Sequence, residues 1–153
     1  MKAVIDTSSL LSLVRYYLPF DKKTILFDKT FNKTNKLPLN TEFILPTAPA
    51  KFYRQLDNQF VNGVQKNRLT ETQYDSVKND FMNSADMKLI LTSLSLIKDN
   101  PSEDIFLVTE ETEVSNDNKV FKKIPAICSQ LGIQTINIQQ LVDKFDGISF
   151  EIK

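Results

Sequence analysis

The feature that most constrains the fold is a continuous apolar run, Ile105-Phe106-Leu107-Val108, in which no polar residue alternates with the apolar ones. A strand with one solvent-exposed face would carry a polar residue at every second position. The run therefore predicts a short strand that is buried on both faces. Such strands are typical of parallel sheets covered by helices, so we expect an α/β protein.

Other segments of the chain alternate between strand and helix patterns. The predicted strands are Lys2–Asp6, Ile105–Val108, Gln134–Asn137 and Ile148–Ile152. Helices are predicted from Ser8 to about Tyr17 and from Ala50 to about Val61, and further helices begin near Thr70, Ser84, Ile124 and Ile138. Thr70–Gln73 has the form of a capping box, Ser84 is the expected cap of the helix that follows it, and Gly132 is expected to end the helix that begins at Ile124. The segment Thr24–Phe27 fits either a strand or the end of a short helix. Only three glycines are present, which argues against a hairpin-rich all-β fold. We expect one domain over residues 1–153, a three-layer α/β/α sandwich around a mainly parallel central sheet.

The chain of 153 residues contains no histidine. Imidazole is therefore absent as a general base, a proton shuttle or a zinc ligand. The single cysteine, Cys128, allows no disulfide within the chain and suits a reducing compartment. Any hydrolytic chemistry must accordingly use carboxylates, and we expect it to use a metal coordinated by oxygen.

Several carboxylates are predicted to meet at the edge of the sheet where the strands end. Asp6 follows the first strand directly, and Glu110 and Glu111 follow the buried apolar strand through Thr109. Parallel strands bring their carboxyl ends to one edge, which is where open α/β proteins bind ligands. Asp86 lies in the first turn of a predicted helix. We therefore expect Asp6, Asp86 and Glu111 to form one acidic site.

Such a group of acids favours a bound cation. Clustered carboxylates repel, and each raises the pKa of its neighbours unless a cation neutralises them. Mg²⁺ or Mn²⁺ prefers hard oxygen ligands and supports phosphodiester hydrolysis by activating water. The structural alternative is that Asp86 complements the N-terminus of its helix and that Glu110 and Glu111 are ordinary loop acids.

Four segments, taken in order, resemble the PIN domains, a family that includes the VapC-type toxin ribonucleases. Val4–Leu10 is similar to the opening strand of that family, and Ala85–Leu91 is similar to the helix start that carries a further metal ligand. Leu107–Glu111 resembles the strand that ends in a Thr-x-acid step. Lys123–Ile133, with its Ile-Pro-x-x-Cys helix, looks like one bacterial branch of PIN-like proteins.

The resemblance implies a metal-dependent endoribonuclease, with the toxin of a toxin–antitoxin pair as one form of it. In this interpretation the catalytic residues, which also bind Mg²⁺ or Mn²⁺, are Asp6, Asp86 and Glu111. The residues that lie beside these ligands and orient them are Ser8, Thr109 and Glu110.

The expected partners follow from charge and from the same resemblance. Lysine plus arginine and aspartate plus glutamate are equal at 19 each, so net charge predicts no global attraction to RNA. The local cluster Lys119, Lys122 and Lys123 is nevertheless expected to hold the RNA backbone. The PIN-like resemblance implies two further partners, a cognate antitoxin protein and a second copy of the chain. No segment has the length of a membrane span, so we expect no membrane partner and a cytoplasmic location.

The chain departs from the family at one position. PIN domains usually supply a further acid from a helix after the second strand, whereas Asn32 falls near that position and Glu42 lacks the expected pattern. Two other hypotheses stay open. One is a PIN-like binding or regulatory protein with a degenerate acidic site. The other is a small-molecule phosphatase or nucleotidase, although the chain lacks an Asp-x-Asp pair after the first strand to supply a nucleophile.

Overall fold

The structure is a computed structural model that describes residues 1–12, 48–112 and 118–144. The strands in these ranges are β1 (Lys2–Ile5), β2 (Ile105–Val108) and β3 (Gln134–Ile136). The helices are α1 (Thr7–Ser12), α2 (Pro49–Asn58), α3 (Gly63–Lys66), α4 (Glu71–Met82), α5 (Ala85–Asp99), α6 (Ile124–Leu131) and α7 (Ile138–Val142).

The three described strands form one parallel sheet in the order β1-β2-β3. Ile5 pairs with Val108, and Val108 pairs with Ile136, so the strands end at the same level. The α/β class and the parallel pairing are confirmed. The residues that follow each strand, Asp6, Thr109 and Asn137, therefore lie side by side along the carboxyl edge of the sheet.

The central strand β2 is buried along its whole length, as the apolar run predicts. Its Leu107 belongs to a large apolar cluster that also includes Met87 and Ile90 of α5. Its Val108 belongs to a second cluster with Leu141 of α7. Because successive side chains of a strand point to opposite faces, apolar residues cover both faces of the sheet.

The helix starts follow the sequence signals closely. Thr70 and Gln73 form the expected capping box, with the Gln73 amide donating to the Thr70 hydroxyl at 3.3 Å and the Thr70 amide donating to the Gln73 side chain at 2.9 Å. Ser84 caps α5 by accepting from the Met87 amide at 3.2 Å. Gly132 ends α6 with a φ of 72°, a left-handed conformation that favours glycine.

Two features of the segment after α2 were not predicted. The predicted helix from Ala50 to Val61 ends at Asn58, and the short helix α3 follows it. Between them, Val61 forms an antiparallel bridge with Phe121. This bridge attaches the segment that precedes α6 to the segment that precedes α3.

Several predicted features lie outside the described residues. They are the second half of the first helix, the segment Thr24–Phe27, Asn32, Glu42 and the strand Ile148–Ile152. Among the helices that the structure describes, none combines the length and the apolar character needed to cross a membrane.

Candidate functional site

Asp6 is held where β1 passes into α1. Its amide continues the parallel ladder by donating to the Val108 carbonyl at 3.0 Å, and its own carbonyl accepts from the Leu10 amide at 3.2 Å. The carboxylate oxygen Oδ2 accepts a hydrogen bond from the Ser8 hydroxyl. Backbone and side-chain contacts therefore fix Asp6 at the carboxyl end of the first strand, with the Ser8 hydroxyl bonded to its carboxylate.

Thr109 makes the corresponding turn after β2. The residue is buried, and its amide donates to the Ile136 carbonyl at 3.0 Å, which ties it to β3. Its hydroxyl oxygen accepts from the Glu111 amide at 3.2 Å. A hydroxyl that bonds a backbone group two residues ahead stabilises a local turn. Thr109 thus sets the direction in which the two glutamates leave the sheet.

The two glutamates after Thr109 bond to two different helices. The Glu110 oxygen Oε1 accepts from the amide of Ile138, the first residue of α7, at 2.9 Å. The Glu111 oxygen Oε2 accepts from the amide of Ile124, the first residue of α6, at 3.1 Å. A carboxylate at a helix N-terminus satisfies an unpaired amide and complements the helix dipole. These structural contacts were missed because nothing local in the sequence indicates them.

Asp86 occupies the first turn of α5, as predicted, and α5 packs against both β1 and β2. Burial raises the pKa of Asp86 above its ordinary value, and the negative charges of Glu111 and Asp6 raise it further. The positive charge of Lys119 acts in the opposite direction. The charges of Asp6 and Glu111 therefore both act on Asp86. We call these residues the acidic cluster.

The raised pKa of Asp86 predicts a stability effect. Between the ordinary pKa of aspartate and the raised pKa of Asp86, the folded protein binds more protons than the unfolded chain, so stability falls as the pH rises through this window. At pH 7 the ionised carboxylate then opposes folding, and we expect Asp86→Asn to raise the melting temperature. Thermal unfolding of both proteins is measured at pH 7 and at about pH 3, which is below the ordinary pKa of aspartate. The increase in melting temperature caused by Asp86→Asn should be smaller in acid. A variant that melts below wild type at pH 7 would contradict it.

The donor chemistry of the acidic cluster fits a hard divalent cation, since all of its side-chain donors are carboxylate oxygens. A cation would also relieve the repulsion that acts on Asp86. In the part of the chain that the structure describes, however, no three acidic, cysteine or histidine side chains are arranged to hold one ion. Common coordination by Asp6, Asp86 and Glu111 therefore stays a prediction.

The predicted RNA-binding lysines lie in the segment that leads into α6. Lys119 is exposed, Lys122 and Lys123 are half-buried, and Lys123 is the N-cap residue of α6. The amide of Ile124, which directly follows Lys123, donates to Glu111, so this segment borders the acidic cluster. We call residues 119–123 the basic segment.

A second polar cluster, which sequence reasoning missed, joins α2, α3 and α4. Asp57 accepts from the Tyr74 hydroxyl at 2.8 Å and from Lys78 Nζ at 2.6 and 2.7 Å. Lys66 donates to the Asp57 carbonyl at 2.9 Å and lies 4.5 Å from the centre of the Tyr74 ring. Burial raises the pKa of Asp57, but its hydrogen bonds and the lysine charges outweigh burial and hold that pKa below its ordinary value.

The same residues line an open groove of about 680 Å³. Tyr74 and Lys78 of α4 and Lys66 of α3 all donate to Asp57 of α2, so the cluster stabilises the packing of the three helices. In the sequence, this polar cluster is indicated only by the spacing of Tyr74 and Lys78, which puts both on one face of a helix. The spacing does not reveal that their shared partner is Asp57.

The fold and the acidic cluster define an α/β protein with carboxylates at the carboxyl edge of a parallel sheet. A family model described as a domain of unknown function, DUF4411, matches residues 40–147, which is more than half of the 153 residues. The chain belongs to this family. The match includes Asp86, Glu111 and the basic segment, and Asp6 precedes it. No curated protein and no solved structure matches the chain.

Proposed function

We propose that this protein is a PIN-like, metal-dependent endoribonuclease with the three-layer sandwich of that family. The observation that carries the proposal is the acidic cluster. Two of its carboxylates follow neighbouring parallel strands, the third lies in the first turn of a helix packed on those strands, and the charges of the first two act on the third. The carboxyl edge of a parallel sheet is also the usual ligand-binding edge of α/β proteins.

In this proposal Asp6, Asp86 and Glu111 bind Mg²⁺ or Mn²⁺. Such an ion, when bound, supplies activated water and stabilises the charge that develops on the phosphate. Ser8 holds the Asp6 carboxylate through its hydroxyl, and Thr109 orients the backbone of Glu111. Lysines of the basic segment bind the phosphates on either side of the cleaved bond, so binding weakens as salt increases.

The PIN-like resemblance extends the proposal to partners and cellular context. The VapC-type members favour a role as the toxin of a toxin–antitoxin pair, which requires a cognate antitoxin protein. They also favour a cytoplasmic location and a homodimer. The present support for these points is the resemblance of Val4–Leu10, Ala85–Leu91 and Leu107–Glu111 to the PIN motifs.

Incubation of the wild-type protein with labelled structured RNA tests the proposed activity. We expect internal cleavage in the presence of Mn²⁺ and none when EDTA replaces it. Parallel incubations with nucleotides and sugar phosphates test the phosphatase hypothesis. Release of phosphate from those compounds without RNA cleavage would show that the protein is a small-molecule phosphatase and not a nuclease.

The alternative function is a PIN-like binding or regulatory protein whose acidic site is degenerate. The hydrogen bonds from the N-termini of α6 and α7 to Glu111 and Glu110 favour this alternative, because they give both glutamates a structural role. A degenerate site binds RNA or a protein but shows neither Mn²⁺-dependent cleavage nor specific Mn²⁺ binding.

A further inference from the structure

The backbone of the basic segment is fixed to the segment between α2 and α3. The Asn62 amide donates to the Val120 carbonyl at 2.8 Å, and the Lys122 amide donates to the Phe60 carbonyl at 2.8 Å. These two bonds flank the antiparallel bridge between Val61 and Phe121. The bonds restrain the segment on the side that faces the apolar core.

An aromatic side chain anchors the same segment in the core. Phe121 is 6% exposed, and its ring stacks on that of Phe81 with the centroids 4.2 Å apart and the planes within 6°. Aromatic contacts of this kind add to the stabilisation from burial. Lys119 and Lys122 thus belong to a short stretch of backbone that is held by hydrogen bonds and by the buried Phe121 ring.

A further attachment of the segment comes from the acidic cluster itself. Lys123, the N-cap residue of α6, makes no side-chain capping bond, and Pro125 has no amide hydrogen. The amide of Ile124 instead donates to Glu111, which follows β2. One carboxylate therefore belongs to the acidic cluster and also holds the end of the basic segment.

We propose that Glu111 is a positioning residue for RNA: by accepting the Ile124 amide it fixes the basic segment beside the acidic cluster, so that phosphates bound by the lysines lie against the acids. This inference rests on the proposed function for the identity of the ligand. It gives Glu111 a positioning role that does not require a bound metal ion. The geometry that supports it is the 3.1 Å hydrogen bond from the Ile124 amide, which directly follows Lys123, to Glu111.

Two substitutions of Glu111 separate its hydrogen bond from its charge. Glu111→Gln removes the charge and keeps an oxygen that accepts the Ile124 amide, whereas Glu111→Met has a similar length and offers no such oxygen. The probe is a fluorescein-labelled single-stranded RNA of mixed sequence in EDTA, where no metal-dependent cleavage occurs. We expect Glu111→Met to bind it about three- to tenfold more weakly than Glu111→Gln, the effect of one lost hydrogen bond.

Amide hydrogen exchange gives a second measurement that does not involve RNA. The Ile124 amide should exchange about tenfold faster in Glu111→Met than in Glu111→Gln. The matched control is the pair Glu71→Met and Glu71→Gln, because Glu71 is an exposed glutamate in the first turn of α4, away from the acidic cluster. The control pair should bind RNA equally. If Glu111→Met does not fold, Glu111→Ala replaces it in both measurements.

Equal RNA affinities of Glu111→Gln and Glu111→Met would overturn the inference, and so would a wild-type protein that does not bind the RNA in EDTA. The proposed nuclease fails separately, if wild type binds the RNA but does not cleave it with Mn²⁺. Both Glu111 variants lose cleavage in the proposed mechanism, so only their difference in EDTA reports on positioning.

Discussion

The double substitution Asp6→Asn, Asp86→Asn is expected to lower the rate of Mn²⁺-dependent RNA cleavage by at least about 100-fold. Loss of residues that merely orient metal ligands costs about 10–100-fold in affinity or activity, and loss of the ligands themselves costs more. Asparagine keeps the size of aspartate but removes the charge that attracts a divalent cation. The rate is measured by single-turnover cleavage of labelled RNA.

The control for this experiment is Asp104→Asn. Asp104 is an exposed carboxylate that precedes β2, at the opposite end of the strand from Thr109. This variant removes one negative charge from the same sheet without touching the acidic cluster, so it should cleave at the wild-type rate. Wild-type activity in the double variant would exclude the acidic cluster as the catalytic site.

The largest stability effect is expected for Phe60→Ala, which should lower the free energy of unfolding by about 3–5 kcal/mol. The Phe60 side chain is fully buried, and its ring lies 5.7 Å from that of Phe52 in an edge-to-face arrangement. Truncation loses the burial of the ring and leaves a cavity in the main apolar cluster. Urea unfolding monitored by circular dichroism measures the loss.

Tyr53→Ala is the matched control for Phe60→Ala. Tyr53 also contacts Phe52 edge-to-face, at 6.3 Å, but it is 42% exposed. Its loss should cost about 1 kcal/mol or less, because little buried area is removed. If both variants lost the same stability, the burial described for Phe60 would be wrong.

The sequence predicted the features of this fold that depend on local patterns. The apolar run of β2, the capping box at Thr70 and Gln73, the cap at Ser84 and the left-handed Gly132 are each specified by neighbouring residues. Helix starts and buried strands can be predicted in this way because their signals lie within a few residues of the element.

The contacts that the sequence did not predict join segments far apart in the chain. Val61 and Phe121, which are separated by 60 positions, form a bridge without any alternating pattern to mark it. Glu110 and Ile138 are separated by 28 positions, yet the carboxylate caps the distant helix. Such pairs depend on how the elements pack, and single-sequence periodicity carries no information about that packing.

The candidate site likewise combines features that local sequence patterns predict with contacts that they do not. The positions of Asp6 and Glu111 after two strands, and of Asp86 in the first turn of a helix, follow from local patterns. The parallel register then brings the two strand ends to one level. The direction of the Glu111 carboxylate was not predictable, because it depends on the amide of Ile124 in a distant helix.

Calorimetric titration of the protein with Mn²⁺ tests most directly whether distant carboxylates share one cation. We expect wild type to bind Mn²⁺ with a defined stoichiometry and Asp6→Asn to lose most of that affinity, while Asp104→Asn keeps it. Absence of binding heat in wild type, or an affinity that Asp6→Asn leaves unchanged, would contradict the shared metal site and with it the proposed nuclease.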